Sequence, residues 1–283
     1  MGLIIVSGTD TGVGKTVTTA AIAALARSRG ERVAVVKPAQ TGEPPGTPGD
    51  LGTVAALAGV TDRHELARYP HPLSPEAAAR AAGRPPLDLR WAASYIAALA
   101  EDGPQVIVEG AGGLLVRYDP AGSTIADLAT MLAAPVLVVA AAGLGTLNHT
   151  ALTLEALAAR KVVCAGVVIG SWPAQPGLAE RSNLSDLETV GGQPLAGALP
   201  AGAGRADRAT FLGLARRGLS PALGGTFGGA SRAEPFALPS PPADRSGRRP
   251  PLLPHYPGLA RSSPQCRTGM AADQMKHPQL MTA

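Results

Sequence analysis

Nine residues near the start of the chain, Gly8-Thr9-Asp10-Thr11-Gly12-Val13-Gly14-Lys15-Thr16, combine a glycine-rich turn with an ammonium and a hydroxyl. They follow the apolar run Leu3-Ile4-Ile5-Val6 and open an alanine-rich stretch, Lys15 to Arg29, with helical periodicity. A strand, such a turn and a helix N-terminus aim several backbone N–H groups and the positive end of a dipole at one point, which suits a polyphosphate. There Lys15 neutralises the β- and γ-phosphates and the Thr16 hydroxyl ligates Mg²⁺. Five residues separate Gly8 from Gly14-Lys15-Thr16, one more than the usual G-x-x-x-x-G-K-[ST] spacing. An ordinary strand-to-helix turn is the competing reading, and Gly-Lys-Thr in this setting decides for a nucleotide.

Further groups narrow the chemistry. Lys37-Pro38-Ala39-Gln40-Thr41-Gly42 ends a second candidate strand and puts an ammonium and a hydroxyl beside the phosphate turn, where open α/β sheets bind ligands. A lysine at a strand end usually only reaches solvent, and the neighbouring turn reverses that preference. Glu109 closes the apolar run Val106-Ile107-Val108 before Gly110-Ala111-Gly112-Gly113, and a divalent cation would offset the desolvation of a carboxylate placed there. Asp50 opens a helical stretch, so N-capping alone accounts for it, with Mg²⁺ coordination as the alternative. Gly143-Leu144-Gly145-Thr146-Leu147-Asn148-His149 offers more backbone N–H groups to an anion, although spacing alone favours a plain turn capped by Thr146 or Asn148.

The elements that must carry these groups alternate. Strands are expected at Leu3–Ser7, Val33–Lys37, Val106–Glu109, Val136–Ala140 and Ala165–Ile169, with a weaker one at Leu195–Leu199. Helices are expected at 15–29, 50–59, 88–101, 124–132, 146–160 and 178–190, with Gly30, Gly59 and Gly103 placed as left-handed residues after helix ends. With 45% apolar but only 3% aromatic residues, the core must be aliphatic, which favours buried parallel strands packed by alanine-rich helices. The pattern predicts a doubly wound α/β domain with a mostly parallel sheet over residues 1–227.

Beyond residue 227 periodicity gives way to a Pro/Arg-rich segment, 228–283, expected to be a disordered tail. That segment holds seven basic and three acidic residues, leaving eighteen of each in the rest of the chain, so the net charge of +4 belongs to the tail. The neutral body has no phosphate-backbone footprint, and no nucleic-acid partner is expected. Cys164 and Cys266 lack metal-ligand spacing and suit a small buried residue and an incidental one. With no basic leader and no apolar stretch flanked like a membrane span, no membrane association and a cytoplasmic protein are expected.

With these residues assembled, residues 1–227 resemble dethiobiotin synthetase. The resemblance is carried by the Gly8–Thr16 turn, Lys37-Pro38 with Thr41-Gly42, Glu109-Gly110-Ala111-Gly112-Gly113, and Gly145-Thr146-Leu147-Asn148-His149. It implies a domain of the P-loop NTPase type in which 7,8-diaminononanoate, CO₂ and ATP give dethiobiotin, ADP and phosphate through a carbamate and a carbamic-phosphoric anhydride. By this resemblance Lys37, Lys15 and Thr11 are catalytic. The backbone of Gly12, Val13, Gly14, Lys15, Thr16 and Val17 holds the triphosphate, Thr16, Asp50 and Glu109 serve Mg²⁺, and Gly110, Ala111 and Gly112 complete the nucleotide site. Thr11, Lys37 and Thr41 meet the diamine or its carbamate, and in a homodimer Thr146, Leu147 and Asn148 receive the diamine's carboxylate from the neighbouring subunit.

Where many family members carry an Asn-Arg pair to read adenine, this chain has Gly170-Ser171-Trp172-Pro173, with Pro200-Ala201-Gly202 as the later base-contacting loop. Gly170-Ser171 offers adenine no side-chain amide, so other nucleoside triphosphates beside ATP are expected to serve. Asp10 stands where ATPases of the chromosome-partitioning type carry a lysine, which favours the synthetase over a nucleotide switch. A glutamine-dependent amidase of the cobyrinate type needs a catalytic cysteine in an added domain, and neither cysteine has that setting.

Overall fold

The computed structural model describes residues 2–229; all but the first two residues of the expected tail, and Cys266 with them, lie outside the described residues. The strands are β1 (Leu3–Gly8), β2 (Val33–Thr41), β3 (Asp62–Tyr69), β4 (Gln105–Gly113), β5 (Val136–Ala140), β6 (Cys164–Trp172) and β7 (Gly197–Pro200). The helices are α1 (Lys15–Ser28), α2 (Gly49–Ala58), α3 (Pro75–Ala81), α4 (Leu89–Glu101), α5 (Ile125–Met131), α6 (Thr146–Ala159), α7 (Leu178–Gly191) and α8 (Arg208–Gly218). The strands form one parallel sheet in the order β3-β2-β4-β1-β5-β6-β7.

Successive residues of a strand point to opposite faces, and this alternation builds two cores. Ile5, Val36, Val106, Val108, Val136 and Val138 pack with residues of α3 to α7. Ile4, Val6, Val35, Ile107, Leu137 and Val139 pack with α1, α2 and α8. The doubly wound expectation therefore holds, and Gly30, Gly59 and Gly103 carry φ of 82°, 68° and 87° after their helices.

Three elements have no counterpart in the sequence reading. β3, Asp-Arg-His-Glu-Leu-Ala-Arg-Tyr, is an edge strand paired only to β2. Its charged side chains suit an edge, where they discourage further pairing, but they erase the apolar signal of a strand. α3 is a seven-residue helix opened by Ser74-Pro75. α8 buries Phe211, Leu214 and Ala215 behind an Asp207 cap, a spacing that was legible in the sequence. The weak strand expected at 195–199 is β7, shifted to Gly197–Pro200.

Lys37 and Glu109 do not end their strands. β2 runs through Pro38 to Thr41 because pairing with β4 stops at Val36↔Val108 while pairing with β3 continues to Thr41↔Tyr69. The proline thus falls where the ladder to β4 has already ended. The same register sets the site. Lys37 and Glu109 are each the residue after a paired valine, and their parity with Val35 and Ile107 puts both on the face covered by α1 and α2.

Candidate active site

The carboxyl ends of β1, β2 and β4, adjacent in the sheet, open onto a crevice of about 630 Å³. Thr11, Gly12, Gly14, Lys15, Thr16, Val17, Lys37, Thr41, Asp50, Glu109, Ala111 and Gly112 all line it. Gly12 and Gly14 take φ of 76° and 101°, conformations that cost glycine little. Gly14 caps α1 without a side-chain acceptor, and the first turn of α1 carries no acidic residue, so its N–H groups are left to an anion. Lys15 Nζ donates to the Asp10 carbonyl at 2.8 Å, curling over its own loop. Burial and the nearby Lys37 ammonium lower the Lys15 pKa to about 8.

Beneath the loop lies a charged cluster. Lys37, 3% exposed, holds Asp50 Oδ2 at 2.6 Å and Glu109 Oε1 at 2.9 Å, and also donates to the Gly110 carbonyl at 3.1 Å. Burial alone would lower the Lys37 pKa, but the Glu109 and Asp50 carboxylates overcome it and raise the pKa above the ordinary lysine value. Burial likewise acts to raise Asp50, and the Lys37 charge prevails and lowers it. The Thr16 hydroxyl, 3.1 Å from Asp50 Oδ1 and 2.8 Å from Glu109 Oε1, shares its hydrogen between them. Asp50 is therefore not a helix cap: it is the second residue of α2, and its carboxylate faces the crevice.

The donors fit Mg²⁺. Thr16, Asp50 and Glu109 present hard oxygens within one cluster, and Glu109 Oε2 is buried with no hydrogen-bond partner. Among the described residues no group of three His, Cys, Asp or Glu side chains forms a metal cage.

The remaining expected residues lie outside this crevice. Gly170 packs on the phosphate loop, where a Cβ would stand 2.1 Å from the Val13 carbonyl oxygen, and Ser171 beside it is exposed. Pro200 ends β7, Ala201 N–H donates to the Trp172 carbonyl at 2.7 Å, and Gly202 turns the chain at φ 82°. Thr146, Leu147 and Asn148 form the first turn of α6. The Thr146 hydroxyl points inward to the Ala141 carbonyl at 2.7 Å, which leaves any anion there to the backbone of the turn.

Three polar side chains that shape the site were given no role from sequence. Gln40 Oε1 accepts from Asp50 N–H at 2.9 Å. The buried Tyr118 hydroxyl accepts from Ala111 N–H at 2.9 Å. Asn183 on α7 donates to the carbonyls of Ala142 and Gly143, fixing the loop before α6. Gln40 stands inside a motif already singled out, so its position was visible. Asn183 acts across some forty residues of chain and Tyr118 back across a loop, and neither contact leaves a signal in the local pattern.

Residues 3–204 match a family model described as an AAA domain. An "ATP-dependent dethiobiotin synthetase BioD" of Frankia casuarinae is 62% identical over 69% of this chain and 82% of its own length. The protein of the same description from Rhodococcus jostii is 59% identical over 68% of this chain and 83% of its own. The chain belongs to the dethiobiotin synthetase family. Every site residue expected from the resemblance, from Thr11 to Gly202, falls within the segment matched by the family model. Among solved structures, the MinD cell division protein of Aquifex aeolicus aligns with this dethiobiotin synthetase family member at a TM-score of 0.47 and 12% identity. That alignment covers 76% of this chain and 95% of the other.

Proposed function

We infer that this member of the dethiobiotin synthetase family is an ATP-dependent ligase of biotin biosynthesis that forms the ureido ring of dethiobiotin from 7,8-diaminononanoate and CO₂. The observation that carries this reading is the buried Lys37 held between Asp50 and Glu109 under a phosphate loop, in a crevice with room for a second substrate. One amine captures CO₂ as a carbamate with loss of a proton. A carbamate oxygen then attacks the γ-phosphorus and ADP leaves, and the second amine attacks the carbonyl carbon and expels phosphate as the ring closes.

Both steps concentrate negative charge on oxygens, and what they need from the protein is fixed positive charge more than a nucleophile. Lys37 carries that charge toward the carbamate and the transferring phosphoryl group, and Lys15 with the backbone of residues 12–17 holds the triphosphate. Mg²⁺ held by Thr16, Asp50 and Glu109 would supply further charge neutralisation at the phosphate oxygens. Thr11 and Thr41, which both line the crevice, orient the diamine or its carbamate. Gly110, Ala111 and Gly112 border the phosphates, while Gly170, Ser171, Pro200, Ala201 and Gly202 flank the base.

The reaction belongs to residues 1–227, and we place it in a cytoplasmic homodimer. Support for the dimer comes from exposed Leu115, Leu144 and Leu152, two of which line a groove with His149 at the start of α6. Pairing through this face would bring the turn of Thr146, Leu147 and Asn148 to a neighbour's crevice. Among the described residues no helix is long and apolar enough to cross a membrane.

The test is phosphate release by purified protein with Mg²⁺, bicarbonate and a series of nucleoside triphosphates, with and without 7,8-diaminononanoate. Release that needs the diamine and yields dethiobiotin is expected, falling roughly 10²–10³-fold in Lys37→Gln, with a melting curve to confirm that the variant is folded. Release that ignores the diamine, with no dethiobiotin formed, would overturn the assignment.

A further inference from the structure

α2 begins without a cap of its own. Its N-cap position is Pro48, with helical φ and ψ and no side-chain hydrogen bond, and the acidic residue of its first turn, Asp50, directs its carboxylate to Lys37 and Thr16. A first-turn N–H left without an acceptor is costly, and an Asp near a helix start commonly bends back to satisfy one. Here the acceptor arrives from another element. Gln40 on β2, buried at 4% exposure, accepts the Asp50 N–H with Oε1 and donates from Nε2 to the Thr41 carbonyl at 3.2 Å, so that its amide is fixed at both ends.

The surroundings are built around this amide. Gly49, at φ 58°, lets it approach, because a Cβ there would stand 2.8 Å from Gln40 Oε1 and 3.0 Å from Arg68 Nη2. Arg68 on the edge strand β3 makes two hydrogen bonds to Glu65 and donates to the Pro44 carbonyl and to Thr47 Oγ1, pinning the segment that leads into α2. The entrance of α2 is thus fixed without Asp50.

We propose that Gln40 is a positioning residue that caps α2 from a neighbouring strand and thereby releases the Asp50 carboxylate to serve the divalent cation. The proposal rests on the assignment of Thr16, Asp50 and Glu109 to that cation. Gln40→Met removes the acceptor and keeps the bulk, while Gln40→Glu restores an acceptor.

The experiment is Mn²⁺ titration of each protein with ADP, followed by electron paramagnetic resonance of the free ion, beside the Mg²⁺ dependence of diamine-dependent phosphate release. Mn²⁺ binding and the Mg²⁺ half-saturation point are expected to weaken about 10-fold in Gln40→Met, with KM for the diamine unchanged. In Gln40→Glu, which keeps the acceptor for Asp50 but leaves the Thr41 carbonyl without its donor, Mn²⁺ binding and the Mg²⁺ half-saturation point are expected to be tighter than in Gln40→Met. Unchanged metal affinity in Gln40→Met, or a rise in KM for the diamine alone, would overturn the proposal, even if the variant melted at a lower temperature. Normal Mn²⁺ binding by the parent without diamine-dependent turnover would instead sink the proposed reaction and leave the role of Gln40 standing.

Discussion

Lys15 and Lys37 are both buried ammonium groups, yet their environments push them in opposite directions. Lys37 faces two carboxylates that raise its pKa, so it stays protonated over any working pH. Removing it leaves Asp50 and Glu109 uncompensated, a loss of about 3–5 kcal/mol for a buried pair, which is why the Lys37 variant needs a melting control. Lys15, lowered to about 8 by burial and by Lys37, is strained until an anion arrives. In the unfolded chain it keeps its proton up to the ordinary value near 10.5, so between pH 8 and 10.5 the unfolded state binds more protons and stability rises with pH. Below pH 8 the charged lysine therefore costs the fold free energy. Lys15→Met is expected to raise stability at pH 7 by on the order of 2 kcal/mol, to lose that advantage by pH 10, and to abolish nucleotide binding. Thermal melts at the two pH values check the first two points and nucleotide titration the third; a variant less stable at pH 7 would contradict the argument.

At the scale of elements, the site depends on how closely β6 approaches the phosphate loop. Gly14 and Gly170 touch backbone to backbone, and a Cβ on Gly14 would stand 2.5 Å from the Gly170 carbonyl oxygen. Sequence comparison alone suggests restoring a base-reading amide with Gly170→Asn. The packing predicts another result: the new Cβ at 2.1 Å from the Val13 carbonyl must displace the loop, so KM for every nucleoside triphosphate should rise by more than about 10-fold without new preference for adenine. A comparison of ATP with other nucleoside triphosphates decides this, and a selective gain for ATP would refute it. The elements themselves were mostly legible. Apolar runs located six of the seven strands, while the charged edge strand β3 hid its character and Pro38 made β2 look shorter than it is. β3 reaches the segment that leads into α2 through Arg68, which no strand pattern announces.

For the whole molecule, the proposed pairing face is the groove beside α6. If that face joins two copies, Leu152→Arg, which sets a charge on an exposed apolar position, should shift the protein from dimer to monomer. KM for the diamine should rise at least about 10-fold while nucleotide binding is retained, because the carboxylate end of the substrate would lose its partner turn. Sedimentation together with steady-state kinetics reads both effects. A variant that remains dimeric with an unchanged KM would place the interface elsewhere.

By itself the sequence determined the fold class, the phosphate loop and the chemical types gathered around it. Those depend on local order: a glycine turn between a strand and a helix works wherever it occurs, and the spacing of Lys15, Lys37, Asp50 and Glu109 along alternating strands and helices already places them at one edge of a parallel sheet. Only the tertiary structure decided which partners each group meets there. Asp50 turns its carboxylate to Lys37 and Thr16 while a glutamine from a neighbouring strand accepts its N–H. Whether Gly170 is a missing amide or a required absence turns on a backbone contact across the sheet. Such choices are made by contacts between different elements, whose distances follow from strand register and packing and leave no trace in local composition.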